Sequence, residues 1–317
     1  MRIADLILPV FAVILTGWLV GYTGYLSRQL SDALIHFAYN IAMPALLIVT
    51  IAQEPGRSLI NWGFLTAFGG GSLLCFVLVF GVTSIVGSRS LARRTMYGMT
   101  ASMTNTGFVA LPVLQAIYGP RAVLPAAIAT VFVAVVMFPI AVILLELGQT
   151  DRHGSRTPAI VTAKHVVLNP LVISTLAGMI LSLLAIHIPG PVAAYLNIMA
   201  DALTPCALFA IGLGLSLDGL RANIGPASLL SVVKLAIMPL IAYGLCLSLR
   251  LDPLYTIAAV ICAAVPTAKT VYILAGEYHC EEAMVASTVS VTTLTSVISL
   301  PLWLYALSGI AARIPAR

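Results

Sequence analysis

Residues 99–112 read M-T-A-S-M-T-N-T-G-F-V-A-L-P, and their reading decides the fold. The stretch lies in an apolar run long enough to cross a bilayer, yet it sets Ser102, Thr104, Asn105, Thr106 and Gly107 close together and adds Pro112. Proline removes a backbone donor and clashes with the carbonyl four residues back, so the helical ladder is weakened in mid-span. Inside hydrocarbon such a stretch is tolerable only where it meets protein or water. A shift of 161 residues carries Asn105 onto Pro266, where residues 263–270 read A-A-V-P-T-A-K-T. Two spans interrupted at one depth are therefore expected.

The shift comes from prolines. Pro170 follows Pro9 by 161 residues, Pro205 follows Pro44 by 161 and Pro301 follows Pro139 by 162, while Gly178 follows Gly17 by 161. This is the mark of an internal repeat. The chain has 317 residues, is 60% hydrophobic and 9% charged, and has a mean hydropathy of +1.06. Soluble domains carry about 25% charged residues, so the chain is an all-α, multi-pass membrane protein. Gly, Pro and charge punctuation places spans near 5–24, 31–53, 60–86, 92–118 and 122–147, then 168–187, 191–217, 226–249, 254–276 and 282–308. That makes ten transmembrane helices in two five-helix repeats, 1–149 and 166–317, joined by a polar linker over 150–165. An odd number of spans per copy inverts the second copy in the bilayer, which is the architecture of secondary transporters.

Several function classes drop out. The net charge of +5 is spread over loops rather than gathered on one face, which argues against nucleic acid as a partner. The five cysteines show no CxxC spacing, so neither a disulfide framework, a metal nor a cofactor is expected. His279, Cys280, Glu281 and Glu282 resemble a metal cluster by composition alone and read as a solvated turn. An intramembrane enzyme has little support, because HExxH and GxSxG are absent. Alternate loops carry eight Lys and Arg on one side (Arg28, Arg89, Arg93, Arg94, Arg152, Arg156, Lys164, Arg221) against six on the other (Arg2, Arg57, Arg121, Arg250, Arg313, Arg317). The positive-inside rule then puts the linker in the cytoplasm and both termini on the far side, periplasmic in a bacterial inner membrane.

Two broken helices meeting at the midplane would aim half-helix N-termini at one point suited to an anion. Lys269 lies one turn past that break. An ammonium near the bilayer centre costs about 2.5–3.5 kcal/mol, so it needs a carboxylate or a substrate as partner. It is read either as a fixed cation for the substrate or as the partner of Asp201. In the seventh span Asn197, Asp201 and Thr204 form a polar stripe before Pro205, and His36 and Asn40 stand at the matching places of the first repeat. Asp201 is open as a proton-coupling group, whereas His36 and Asn40 read as interhelical hydrogen bonding. Lys234, a third of the way into the eighth span, is expected to snorkel to the membrane surface. The hydroxyls of the tenth span are expected to serve packing.

N-I-A-M-P over 40–44, T-N-T-G-F-V-A-L-P over 104–112, A-A-V-P-T over 263–267 and the E-Y pair at Glu277 and Tyr278 together resemble the auxin efflux carrier family. That family includes plant auxin carriers and bacterial carriers of malonate or small organic acids. The resemblance implies ten helices in a fold related to sodium/bile-acid symporters and NhaA-type antiporters, with helices four and nine unwinding and crossing. It also implies that helices 1, 2, 6 and 7 form a scaffold and helices 3–5 and 8–10 a moving bundle. Carried over by position, Asn105, with Thr106, Gly107 and Phe108 after it, would contact a substrate carboxylate, and Pro266 with Thr267 would form the opposing break beside Lys269. Thr104, Asn40 and Asp201 would support or couple, and Pro44, Pro112 and Pro205 would act as hinges. Thr104 departs from the plant pattern, which has proline there, and the linker is far shorter than the plant loop.

The expected function is secondary active transport of a small organic anion by alternating access, with a proton as the candidate coupled ion and a homodimer compatible with the resemblance. The alternatives are a sodium-coupled bile-acid-type symporter or cation/proton antiporter of related fold, and a membrane-embedded anion sensor.

Overall fold

The computed structural model describes residues 3–27, 29–53, 61–88, 90–153, 168, 170–214 and 224–312. Most of the linker, and most of the loop arginines that set the orientation expectation, lie outside these residues. The described chain is helical: α1 (Ile3–Tyr22), α2 (Gln29–Gln53), α3 (Trp62–Ile85), α4 (Leu91–Ser102), α5 (Thr106–Tyr118), α6 (Pro120–Gly148), α7 (Pro170–Leu183), α8 (Gly190–Leu213), α9 (Ile224–Ser248), α10 (Pro253–Ala264), α11 (Lys269–Glu277) and α12 (Glu282–Ala306), with a last turn, α13 (Ser308–Ala311). Six of them, α2, α3, α6, α8, α9 and α12, are long and apolar enough to cross a membrane. Shorter apolar stretches lie in α1, α5, α7 and α10. The spans expected over 92–118 and 254–276 are each two helices, α4 with α5 and α10 with α11.

Prolines shape the long helices in a regular way. Four widened turns with i to i+5 bonding, Ala38–Ala42, Thr106–Ala110, Val133–Met137 and Val233–Ile237, each end two residues before a proline, Pro44, Pro112, Pro139 and Pro239, while a fifth, Leu65–Gly70, has no proline after it. The ring of each proline would strike a carbonyl in the preceding turn, and a wider turn moves that carbonyl aside without ending the helix. Pro205 does it differently, because α8 breaks at Ala202, three residues before it. The three prolines expected as hinges thus all stand beside irregular turns. Pro301 sits inside an unbroken α12.

Close helix contacts rest on glycine. α1 lies so near α8 that a Cβ on Gly212 would overlap the carbonyl of Ile14, and one on Gly17 that of Phe209. α7 meets α2 in the same manner, where a Cβ on Gly178 would stand 2.9 Å from the Cβ of Ile51. Small residues permit such backbone approach, and dispersion then holds helices that hydrocarbon alone would not drive together. The interior divides into two apolar clusters. One gathers Leu47, Phe64, Phe68, Leu111, Leu208 and Ile261. The other gathers Met96, Met99, Met137, Val271, Met284 and Val285. Val265 belongs to the first and Ala263 and Ala268 to the second, so the helix breaks lie where the two cores meet. Leu78, Val82, Ile143, Ile180, Leu229 and Leu302 are among the exposed apolar side chains on the outer faces, which suits a hydrocarbon surrounding.

Candidate functional site

The two breaks pair with each other. Residues 103–105 and 266–268 run antiparallel, with a single bridge between Thr104 and Thr267. The amide of Asn105 donates to the Pro266 carbonyl at 2.9 Å, and that of Ala268 to the Met103 carbonyl at 3.1 Å. A buried backbone without partners would cost several kcal/mol per group in hydrocarbon. The surroundings therefore account for the loose ends one by one. Thr267 Oγ1 donates to the Thr100 carbonyl at 2.8 Å, and the Thr267 amide donates to Thr292 Oγ1 of α12 at 3.3 Å. Cys75 Sγ reaches the Ala101 carbonyl at 3.6 Å, and Lys234 Nζ donates to the Ala263 carbonyl at 2.6 Å.

The last two bonds match. Ala101 and Ala263 are each the penultimate residue of a helix that stops at the break, and each carbonyl is one that the helix cannot satisfy internally. Lys234 does not snorkel as its position suggested. It is fully buried, because the break supplies a carbonyl within reach and the membrane surface is not needed. Lys234→Met keeps the stem and deletes the donor, and it is expected to lower stability by about 1–3 kcal/mol through the orphaned carbonyl. Lys234→Ala should cost more, since it also leaves a cavity. Relief of the buried charge works in the opposite direction, so an unchanged melting temperature in Lys234→Met would show that the bond contributes nothing net.

Beside the crossing lies a cavity of about 630 Å³. Met103, Thr104, Asn105, Thr106, Gly107 and Phe108 line one side, and Ala268, Lys269 and Thr270 another. α5 starts at Thr106 and α11 at Lys269, so two helix N-termini open onto one space. Their first-turn amides lack intrahelical acceptors, and the aligned peptide dipoles favour negative charge there. Thr104 Oγ1 also faces this region, buried and without a hydrogen-bond partner among the described residues. The far wall is apolar and aromatic: Tyr39 stacks on Phe108 at 5.7 Å, and Val133, Ala134 and Phe138 complete it. Such a space offers a polar end for a carboxylate and a greasy wall for a carbon skeleton.

Of the residues singled out by sequence, Thr104, Asn105, Thr106, Gly107, Phe108 and Lys269 come together on this cavity. Pro266 and Thr267 do not line it; they build the crossing behind it. Asn40 Nδ2 donates to the His36 carbonyl of its own helix at 2.9 Å and stays out of the cavity. Asp201 is exposed at the kink of α8, and no ion pair joins it to Lys269 among the described residues. The Lys269 ammonium lies instead near Gly214, 3.5 Å from where a Cβ would sit there, just past the C-terminal end of α8. Pairing of Lys269 with Asp201 is thereby corrected: thirteen residues of helix, about 20 Å, separate Asp201 from Gly214.

Asp32, Tyr39 and Glu277 line the cavity and were missed. The spacing of Asp32, His36 and Asn40 by four did carry the signal for one helix face. Outside the cavity, Glu281 pairs with Arg93 at 2.6 Å and Tyr278 donates to Glu146 at 2.8 Å, tying the α11–α12 turn to α4 and α6.

The sequence profile of a family described as "Membrane transport protein" matches residues 3–304. The chain is 27% identical over 305 residues to a protein of Rhizobium meliloti (strain 1021) named "Putative malonate transporter", covering 96% of this chain and 95% of that one. It is 25% identical over 307 residues to an uncharacterized transporter of Methanothermobacter thermautotrophicus, covering 94% and 96%. It is 26% identical over 309 residues to the uncharacterized transporter YfdV of Escherichia coli (strain K12), covering 96% of each.

Proposed function

Because the chain belongs to the membrane transport protein family of auxin efflux carriers, and is thus a multi-pass membrane transporter rather than an enzyme, we propose that it carries a small organic carboxylate across the bacterial inner membrane by alternating access. The observation that carries this reading is the convergence of the α5 and α11 N-termini and Lys269 on one cavity. A carboxylate placed there would accept from first-turn amides and from the ammonium, while its carbon skeleton lay along Tyr39, Phe108 and Phe138. The name of the Rhizobium relative makes malonate the first acid to try.

The mechanism asks for two inverted five-helix repeats. Two pairs of contacts support that arrangement. Gly17 packs on Phe209 and Leu213 of α8, and Gly178 packs on Leu47 and Ile51 of α2. Cys75 reaches Ala101, and Lys234 reaches Ala263. A shift of about 161 residues superimposes each pair on its counterpart within two residues. In this proposal α1, α2, α7 and α8 form the scaffold, the remaining helices move, and the widened turns before Pro44 and Pro112 and the break before Pro205 absorb the motion. Asp32, Gly214 and Glu277 adjoin loops that alternate to the more basic face. With both termini periplasmic, the cavity opens inward.

The test is a panel of mono- and dicarboxylates, malonate included, screened by thermal stabilisation of the purified protein and then by counterflow in proteoliposomes. A ligand at a hundred times its Kd stabilises the native state by about 2.7 kcal/mol. Counterflow of a stabilising acid separates a carrier from an anion sensor, which would bind and show none. If no acid in the panel raises the melting temperature or exchanges, the proposal fails. Stabilisation that required Na⁺ would favour a bile-acid-type symport mode instead.

A further inference from the structure

Four groups that can carry charge line the cavity: Asp32 and His36 from α2, Lys269 and Glu277 from α11. α8, which packs along α2, adds no acid or base to it, and Tyr39 lies one turn beyond His36. The Lys269 ammonium turns toward α2. It and the Ser31 hydroxyl both lie within 3.5 Å of the point where a Cβ on Gly214 would sit. Asp32 is the next residue and lines the same cavity. No salt bridge joins the two among the described residues, although both line the cavity. Glu277 stands eight residues further along α11, about 12 Å from Lys269 along the helix axis.

A carboxylate arriving at Lys269 therefore meets Asp32 as a rival of like charge. Two carboxylates beside one cation repel each other, and a proton on one of them relieves the repulsion. Resting on the anion reading above, we propose that Asp32 takes up that proton, so that the cavity loads an organic anion and one H⁺ together. One O–H bond forms on the Asp32 carboxylate with a proton from solution, no bond breaks, and Lys269 exchanges Asp32 for the substrate as its counter-ion. The charge of the cavity is the same before and after loading a monocarboxylate, which spares the moving site an uncompensated charge in hydrocarbon. His36, one turn along the same face, is the other proton-binding group to exclude.

The experiment is calorimetry on the purified full chain with malonate, or with the acid of the panel that stabilises it best. Titrations run between about pH 7 and 9, where an unperturbed histidine is largely neutral, in buffers of different ionisation enthalpy. The wild type is expected to take up one proton per anion and to lose affinity about tenfold per pH unit. Asp32→Asn, which keeps the shape and removes the rival charge, is expected to take up none and to bind independently of pH. His36→Gln and Glu277→Gln, whatever their affinity, should still take up one proton per anion. Retained proton uptake in Asp32→Asn overturns the inference, and so does loss of binding there, since removing a competitor must not weaken the anion. Lys269→Gln separates the two readings. Wild-type affinity in that variant refutes the anion site itself, whereas weakened binding there with unchanged proton uptake in Asp32→Asn refutes the role of Asp32 alone.

Discussion

Lys269→Gln is expected to abolish carboxylate transport in proteoliposomes while the protein still folds. The ammonium is the only cation lining the cavity among the described residues, and it opens the first turn of α11. A hydrogen bond to a charged group is worth about 1.5–3 kcal/mol, which is roughly a tenfold to hundredfold change in affinity for the bound anion. The fold should survive, because the Lys269 side chain makes no hydrogen bond among the described residues and its loss orphans no backbone group there. Asn105→Ala should reduce transport as well, since its carboxamide makes no hydrogen bond among the described residues, whereas its backbone holds the crossing. The check is initial-rate uptake of labelled malonate, with the melting temperature of each variant measured alongside. Full transport by both variants would remove the proposed site.

Gly212→Val is expected to give the largest loss of stability. A side chain at Gly212 would occupy the place of the Ile14 carbonyl, and the Trp18 amide lies only 2.9 Å from the same point. Overpacking of a buried site costs about 1–3 kcal/mol when neighbouring side chains can shift. Here the obstacle is backbone, so relief requires α1 to move bodily away from α8, and the cost should reach or pass the top of that range. Little folded protein is expected in the membrane. Gly81→Ala and Gly244→Ala are the controls: both lie in helices with nothing within 4 Å, and the better helix propensity of alanine should leave stability unchanged or slightly raised. Equal yields of Gly212→Val and the controls would mean that the α1–α8 contact does not hold the fold together.

Much of this was legible along the chain because its signals are periodic or local. Apolar runs bounded by charge mark helices, so the expected spans fall within a few residues of the observed ones: 31–53 against Gln29–Gln53, and 282–308 against Glu282–Ala306. The N-T-G-F string with its proline marks a break in a helix because each residue bears on its own backbone ladder. Lys234 shows the limit. By its neighbours in sequence it is a long side chain a third of the way into a span, and snorkelling is the cheapest way to solvate it. Its actual partner, the Ala263 carbonyl, is 29 residues away and exists as a free acceptor only because α10 stops there.

Composition, the proline repeat and the interrupted strings thus specify a helical membrane protein with two weak points, since helix formation and bilayer burial depend on residues a turn or two apart. Which groups meet at those weak points was left to the packing. Lys269 turns to Gly214 and the neighbourhood of Asp32 rather than to Asp201, Thr292 of α12 supports the crossing, and Glu277 joins the cavity wall. Each of these depends on how helices distant in sequence approach one another. Those approaches are governed by glycine contacts and shared cores, and no spacing along the chain encodes them.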